Sequence, residues 1–322
     1  MQRRHFLASM AAAATTATLG TPTVLRAQSA PVRIIVGAPP GGGTDTLART
    51  LAMELSRVLG GNFVVENKPG AGGNIAASQV ANSAPDGTTL LMCYTSHAIN
   101  ETLYADLSFD PVADFTPVCN VASAPAILCA RPAFEANDIA ELIALAKQSP
   151  GALNIALPGI GSAGHLAAEV LKTMAGIDMV SVPYKGTAQA INDVLAGQVD
   201  LMFAGLALAG RQLADKNLKG LGLSSIKPLA EYPALKPIAN SLPGYDFNAW
   251  YGLLGPAKLD PALTEKYSAA TRQVLKNEQV RTRMATEGLL ATGSTPSEFQ
   301  AFLVSEIERW GKIVKASGAT AG

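Results

Sequence analysis

The stretch "VGAPPGGGTDTLARTLAMELSRVLGG", residues 36–61, sets Pro39, Pro40 and the three glycines Gly41, Gly42 and Gly43 between a β-branched run and a helical pattern. Ordering so permissive a backbone costs entropy, which makes the exposed main chain of this loop a candidate for function. A glycine-rich turn after a strand and before a helix suits an anion, because the N–H groups of a helix's first turn lack intrahelical partners. The phosphate motifs fail. G-x-x-x-x-G-K-[ST] needs a lysine where Thr44 and Asp45 stand, and G-x-G-x-x-G needs glycine where the chain has Thr46. Some other anion is expected.

Two further helix starts share the design. In "PGIGSAGHLAAEVLK", Gly159, Gly161 and Gly164 surround Ser162; in "VPYKGTAQAINDVLAG", Tyr184, Lys185 and Gly186 follow a strand pattern and precede a helical one. Each helix N-terminus carries about half a positive charge and favours an anion by about 0.3–1 kcal/mol, about 2 when partly buried. Several together can hold a carboxylate without an arginine. The alternative for each loop is plain helix entry, with Ser, Thr or Asp as N-cap.

Catalytic readings are weaker. Ser162 lacks the nucleophile elbow, since G-x-S-x-G needs glycine where Ile160 stands. Ser162 and His165, one turn apart, read as cap and first-turn residue. His97 follows Thr95 and Ser96 at a strand end, where it either lines a cleft or bonds to backbone. Cys93 with His97 is not a zinc pattern, so neither metal nor cofactor is expected. Asp45 is the acid nearest the glycine loop, with helix capping as its plainer role. Lys185 is either charge at a cleft edge or a solvated side chain.

These loops need a scaffold, and the pattern supplies one. "VRIIVGA", "NFVVEN" and "TTLLMCY" read as strands, with Leu47, Leu51, Leu55, Val58 and Leu59 as a helical face between the first two, Thr44 or Asp45 as its cap and Gly60 as its stop. A second helix over 74–81 precedes the third strand. A second series has strands in "ALNIAL", "MVSVPY", "VDLMFAG" and "LKGLGLSS", separated by helices over 138–148, 163–175, 188–196 and 208–214. From Leu263 onward the chain reads helical, with no strands of its own. Such alternation implies mostly parallel sheets covered by helices, with ligands at the carboxyl ends of the strands. The simplest arrangement is two α/β lobes, the chain crossing near 125 and returning near 248, with a hinge and a central cleft. Trp250, at the return, is expected to feel hinge bending.

Composition narrows the function classes. The 322 residues are 16% charged and 48% apolar with a formal net charge of zero, which leaves no basic footprint for nucleic acid. The opening "MQRRHFLASMAAAATTATLGTPTVLRAQSA" has a positive start, an Ala/Leu/Thr-rich stretch and a cut site after Ala27, so residues 1–27 read as a signal peptide. Arg3 and Arg4 before His5, Phe6 and Leu7 match the twin-arginine pattern, with the general secretory route as the alternative. Removing that segment leaves 22 basic against 25 acidic side chains. Cys93, Cys119 and Cys129 are odd in number and read as three buried thiols, with a Cys119–Cys129 pair as the weaker alternative.

The blocks "PVRIIVGAPPGGGTDTLARTLA", "VVENKPGAGGNIAASQVANSAPDGTTLLM", "SHAINETLY", "GSAGHLAAE", "VPYKGTAQAINDVLAGQVDLMF" and "LPGYDFNAWYGLLGPA" run in order over nearly the whole mature chain and resemble the Bug family, the extracytoplasmic solute receptors of tripartite tricarboxylate transporters. The resemblance implies an α/β, two-lobed periplasmic binding protein (type II-like) with two mostly parallel sheets: lobe I from 28–125 and 248–322, lobe II from 126–247. It implies a monomeric, non-enzymatic receptor that closes on a small carboxylated solute and delivers it to a membrane permease. Carried onto this sequence, the ligand positions are Pro40, Gly41, Gly42 and Asp45, with Ser96 and His97 nearby, and Gly161, Ser162, His165, Tyr184 and Lys185 in the second lobe. The chain departs from the family's small polar residues at Leu157, Pro158, Gly159 and Ile160, and from its usual aspartate at Ala204, Gly205, Leu206 and Leu208. Both departures favour a carboxylate with an apolar or aromatic body over a dicarboxylic amino acid. The rival readings are a carboxylate sensor for a membrane kinase and a secreted serine hydrolase using Ser162.

Overall fold

The computed structural model describes residues 30–158, 162–317 and 320–321. The signal-peptide reading and its arginine pair therefore fall outside the described residues. Two βα series are present, as the hydrophobic periodicity predicts. The first contains β1 (Val32–Val36), α1 (Gly43–Leu59), β2 (Phe63–Asn67), α2 (Asn74–Ala81), β3 (Thr89–Tyr94) and α3 (Ser96–Leu103). A long strand, β4 (Phe115–Ala130), leads to the second series: α4 (Ile139–Gln148), β5 (Asn154–Leu157), α5 (Ala163–Ala175), β6 (Val180–Pro183), α6 (Thr187–Leu195), β7 (Leu201–Gly205), α7 (Leu206–Ala214) and β8 (Lys219–Leu223). The chain returns through β9 (Asn248–Pro256) and ends in α8 (Pro261–Lys276), α9 (Glu278–Thr286), β10 (Leu290–Ala291) and α10 (Pro296–Ser317).

Both parallel sets belong to one mixed sheet, ordered β2-β1-β3-β9-β4-β7-β5-β6, with β8 and β10 also on β4. β4 and β9 run antiparallel between the sets. From Phe115 to Pro125, β4 pairs with β9, ending at Pro125 against Asn248; from Ala126 to Ala130 it pairs with β7, and from Ile127 with β8. At that handover the Ala126 N–H donates to the Oγ of fully buried Ser224 at 2.7 Å, and the Ser224 N–H returns a bond to the Ala126 carbonyl at 2.8 Å. A side chain thus continues the ladder at the point where one partner strand replaces another.

The C-terminal segment does bring a strand, contrary to the reading of 263 onward as helical throughout. After Gly288, whose φ of 73° favours glycine, Leu290 and Ala291 lie antiparallel to Ser123 and Ala122 of β4. Two residues are too few to leave a period in the sequence. α10 then packs Phe299, Leu303, Trp310 and Val314 inward. Its buried Glu306 accepts through Oε2 from the indole N–H groups of Trp250 (2.9 Å) and Trp310 (3.0 Å), and Arg309 sits 3.0 Å from Oε1. Burial raises the Glu306 pKa above the usual carboxylate range, against the pull of Arg309 and the indoles. Trp250 therefore packs against α10, its ring edge-on to Phe299 and Phe302.

The three cysteines are buried and free. Burial pushes the Cys119 and Cys129 thiols up to about 12 and the Cys93 thiol higher still. Cys119 and Cys129 lie on the same strand, ten residues apart, which at about 3.3 Å per residue is far beyond disulfide reach.

Candidate functional site

The strand register shows where the loops meet. At the carboxyl end of β3, Tyr94 pairs with Tyr251 of β9, which pairs in turn with Ala122 of β4. At the carboxyl end of β7, Gly205 pairs with Ala126 of β4. The two parallel sets therefore run toward each other, and their carboxyl ends converge on the middle of β4, four residues apart, or about 13 Å at strand spacing. Ligands of open α/β sheets bind at such ends.

From the first set come the loops after β1, β2 and β3. Pro39, Pro40, Gly41, Gly42 and Gly43 are all exposed. Gly41 has φ 83°, a conformation that side chains disfavour, and a Cβ added at Gly41 or Gly43 meets nothing within 4 Å. The N-cap of α1 is Gly42, not Thr44 or Asp45, and it supplies no side chain to the first turn. The reason lies in the glycines, which let the helix begin two residues early and place Asp45 inside it.

Asp45 is buried and fully engaged. Its Oδ2 accepts from the Gly41 N–H and from Arg49 Nε, each at 2.9 Å, and its Oδ1 accepts from Asn67 Nδ2 at 2.9 Å. Asn67, at the end of β2, also donates to the Ala38 carbonyl (3.1 Å) and accepts from Arg49 Nη2 (3.1 Å). Burial by itself would raise the Asp45 pKa, but the bonds from Arg49, Gly41 and Asn67 together hold it below the usual range. Asp45 is thus tied to the base of the loop, with both oxygens occupied.

The turn after β2, which the sequence pattern reads only as a turn, is a second glycine loop. Gly70, Ala71, Gly72 and Gly73 all have positive φ. The Gly72 carbonyl accepts from Ser96 Oγ at 2.6 Å and from Asn100 Nδ2 at 3.2 Å, and Tyr94 OH reaches the Gly37 carbonyl at 3.3 Å. Its signal was present: "NKPGAGGN" repeats the strand, glycine loop and helix design of the three flagged stretches.

His97 takes the backbone-bonded one of its two anticipated roles. Its ring is buried beside Phe109 and edge-on to Phe115 (4.9 Å), with Nε2 3.0 Å from the Pro111 carbonyl. Burial lowers its pKa to about 4, so the ring is neutral at physiological pH. One helical position moves it from the loop into the core, while Ser96 stays at the turn.

From the second set, Ser162 is the N-cap of α5, its Oγ accepting the His165 N–H at 3.3 Å. His165 is half-buried and burial lowers its pKa. Gly161, with Gly159 and Ile160, lies outside the described residues. Tyr184 donates its phenol proton to Asp193 Oδ2 at 2.7 Å, and burial with that carboxylate pushes its pKa up to about 12. Lys185 is exposed beside Gly186, which caps α6 without a side chain. Gly205 does the same for α7. Leu157 and Leu206 turn into the cores, leaving Pro158, Gly205, Ala207 and Leu208 as the apolar residues at this edge.

Comparison with known proteins bears on the family and the fold. Residues 47–319 match the family described as tripartite tricarboxylate transporter family receptor. Protein BugT of Bordetella pertussis is 31% identical over 292 residues, 90% of this chain and 90% of that protein. Among solved structures, R. palustris Rpa4515 with adipate superposes with a TM-score of 0.76 at 32% identity, covering 90% of this chain and 97% of that one. MatC from Rhodopseudomonas palustris with bound malate gives 0.73 at 31%, covering 88% and 98%.

Proposed function

The chain belongs to the tripartite tricarboxylate transporter receptor family, and from that premise we propose that it is a periplasmic receptor that captures a small carboxylate and delivers it to the transporter's membrane permease. The observation that carries this reading is the convergence of both sets of strand ends on Ala122–Ala126, beside a glycine loop whose backbone is exposed. Adipate and malate in the related structures are ligands of the expected chemistry.

In this reading 28–125 with 248–322 and 126–247 act as two lobes, bending where β4 exchanges β9 for β7 and β8. The ligand carboxylate sits on the N–H groups at Gly42–Thr44, since the Gly41 N–H is already given to Asp45. Ser96 stands at the edge of this site, and Ser162, His165, Tyr184 and Lys185 border it from the other lobe. Pro158, Gly205 and Ala207 at that edge suit an apolar or aromatic body. No enzymatic step is assigned, because the Ser162 oxygen serves a helix cap. Segment 1–27 exports the chain to the periplasm, by the twin-arginine route.

Gly42→Val tests the site. Gly42 has φ −82° and ψ 169°, open to any residue, and its Cβ would meet only the Pro39 carbonyl at an ordinary 3.6 Å. The variant should stay folded and melt within about 4 °C of wild type, since valine is a poorer N-cap than glycine but the position is otherwise exposed. It should lose at least tenfold in affinity for the best carboxylate of a thermal-shift screen, about 1.4 kcal/mol. Full binding by this variant, or equal affinity for the acid and its amide, refutes backbone capture of a carboxylate.

A further inference from the structure

A receptor for anions with a buried aspartate at its anion loop faces an electrostatic conflict. Asp45 lies in the first turn of α1, where its charge opposes the half charge of the helix N-terminus and repels an incoming carboxylate. The arrangement around it resolves the conflict. Arg49, one turn along the same helix, donates to Asp45 Oδ2, and its other arm reaches Asn67 Oδ1. Asn67 closes the ring by donating to Asp45 Oδ1 and to the Ala38 carbonyl at the entry of the loop. Three side chains from α1 and β2 so hold the base of the loop, while the guanidinium, about half exposed, stays on the outer surface.

We infer that Arg49 is a positioning residue for carboxylate capture, cancelling the charge of Asp45 so that Asp45 can pin the Gly41 N–H without repelling the ligand. This rests on the receptor reading above. Arg49 touches no ligand, and its contribution is to the charge that the ligand meets. Asp45 gives the loop its shape, and Arg49 makes that shape compatible with an anion. Removing Arg49 alone leaves the shape and uncovers a negative charge. By Coulomb's law at the effective dielectric of a protein surface, a charge uncovered about 12 Å from the ligand carboxylate costs about tenfold in affinity, and more if it is nearer. For a neutral ligand it is worth nothing. Salt weakens the effect, because the site opens to solvent.

The experiment uses the mature protein, calorimetry, and adipate, malate and benzoate as probes, with the amide of whichever binds most tightly. Arg49→Gln should bind the carboxylate about tenfold more weakly and the amide unchanged, with the deficit shrinking between low and high salt. Arg49→Lys, which keeps the charge, should stay within about twofold of wild type. Adding Asp45→Asn to Arg49→Gln should recover part of the affinity, since the asparagine oxygen still accepts the Gly41 N–H while the charge is gone, at the cost of the bond from Asn67 Nδ2. Circular dichroism checks that each variant is folded. Equal losses for acid and amide, or no recovery in the double variant, would mean that Arg49 serves stability alone and would overturn the inference. A wild-type protein that binds none of the three probes refutes the receptor reading itself, and this inference with it.

Discussion

His97 gives the most quantitative consequence of the fold. Its imidazole is buried among Phe109 and Phe115 with Nε2 on the Pro111 carbonyl, and burial sets its pKa at about 4, against 6.5 in an unfolded chain. The folded pKa is depressed, so the neutral ring stabilises the fold fully above 6.5, and that stability is lost as pH falls from 6.5 toward 4. Every tenfold change in proton concentration across this window is worth about 1.4 kcal/mol, so the whole window spans about 3 kcal/mol, and lowering the pH from 7.5 to 5 removes about 2 of them. Urea unfolding at both pH values reads the difference. His165 contributes in the same direction and the raised Glu306 in the opposite one. Comparison with His97→Gln, which cannot titrate, isolates the His97 share. The variant should lose about 2 kcal/mol less than wild type over that interval. A pH response identical in both proteins would refute the buried neutral ring. Ligand affinity, meanwhile, should be the same in His97→Gln and wild type at pH 7.5. A tenfold loss there would return His97 to the binding site.

Two further outcomes follow, one from the described geometry and one from the proposed export role of residues 1–27. Ser224→Ala strands the buried Ala126 N–H where β4 changes partners, and should cost about 1–3 kcal/mol in chemical denaturation; a loss under about 0.5 would show that the ladder closes without the hydroxyl. Replacing Arg3 and Arg4 together by lysine should hold the protein in the cytoplasm, and undiminished periplasmic recovery by cell fractionation would assign the general secretory route instead, since lysines keep the positive start that route reads.

Much of the scaffold was legible because its helices and strands carry strong periods. The helix over Ala163–Ala175 and the one over Asn74–Ala81 fall where the apolar spacing puts them, and Gly60, with φ 68°, ends α1 as a glycine stop should. The long strand β4 was not legible. Its sixteen residues carry Pro117, Ser123 and Pro125, which read as breaks, and all but three of them are buried. A strand covered on both faces shows no alternation. Its prolines are tolerated because β4 changes register against β9 between Pro117 and Cys119, and because Pro125 stands at the last β9 pair before the strand changes partners. The convergence of the two parallel sets depends on that strand, so the place of the site was not derivable from local pattern alone.

Within the site, residue type was a better guide than residue role. Glycine before a helix marked the starts of α1 and α6, because glycine leaves its signature in composition, but not that α1 begins without the side-chain cap expected from Thr44 or Asp45, nor that α7 starts at Gly205. The role of Asp45 was hidden, because whether an acid near a helix start is the cap or the third helical residue depends on a shift of two or three positions that no period records. His97 was hidden for the same reason. One residue after Ser96 at the start of α3, the helix turns its side chain by about 100° from the loop toward Phe109 and Phe115. Arg49 carries no signal on its own, since an exposed arginine four residues after an aspartate is an ordinary helical surface pair. What sets it apart is Asn67, eighteen residues further along the chain, which binds both members of the pair and the loop they support. A surface ion pair contributes little by itself. Joined through Asn67 to a strand end and to the main chain of Ala38, Asp45 fixes the Gly41 end of the loop, while Arg49 sets the charge that the loop presents, and so what its N–H groups can hold.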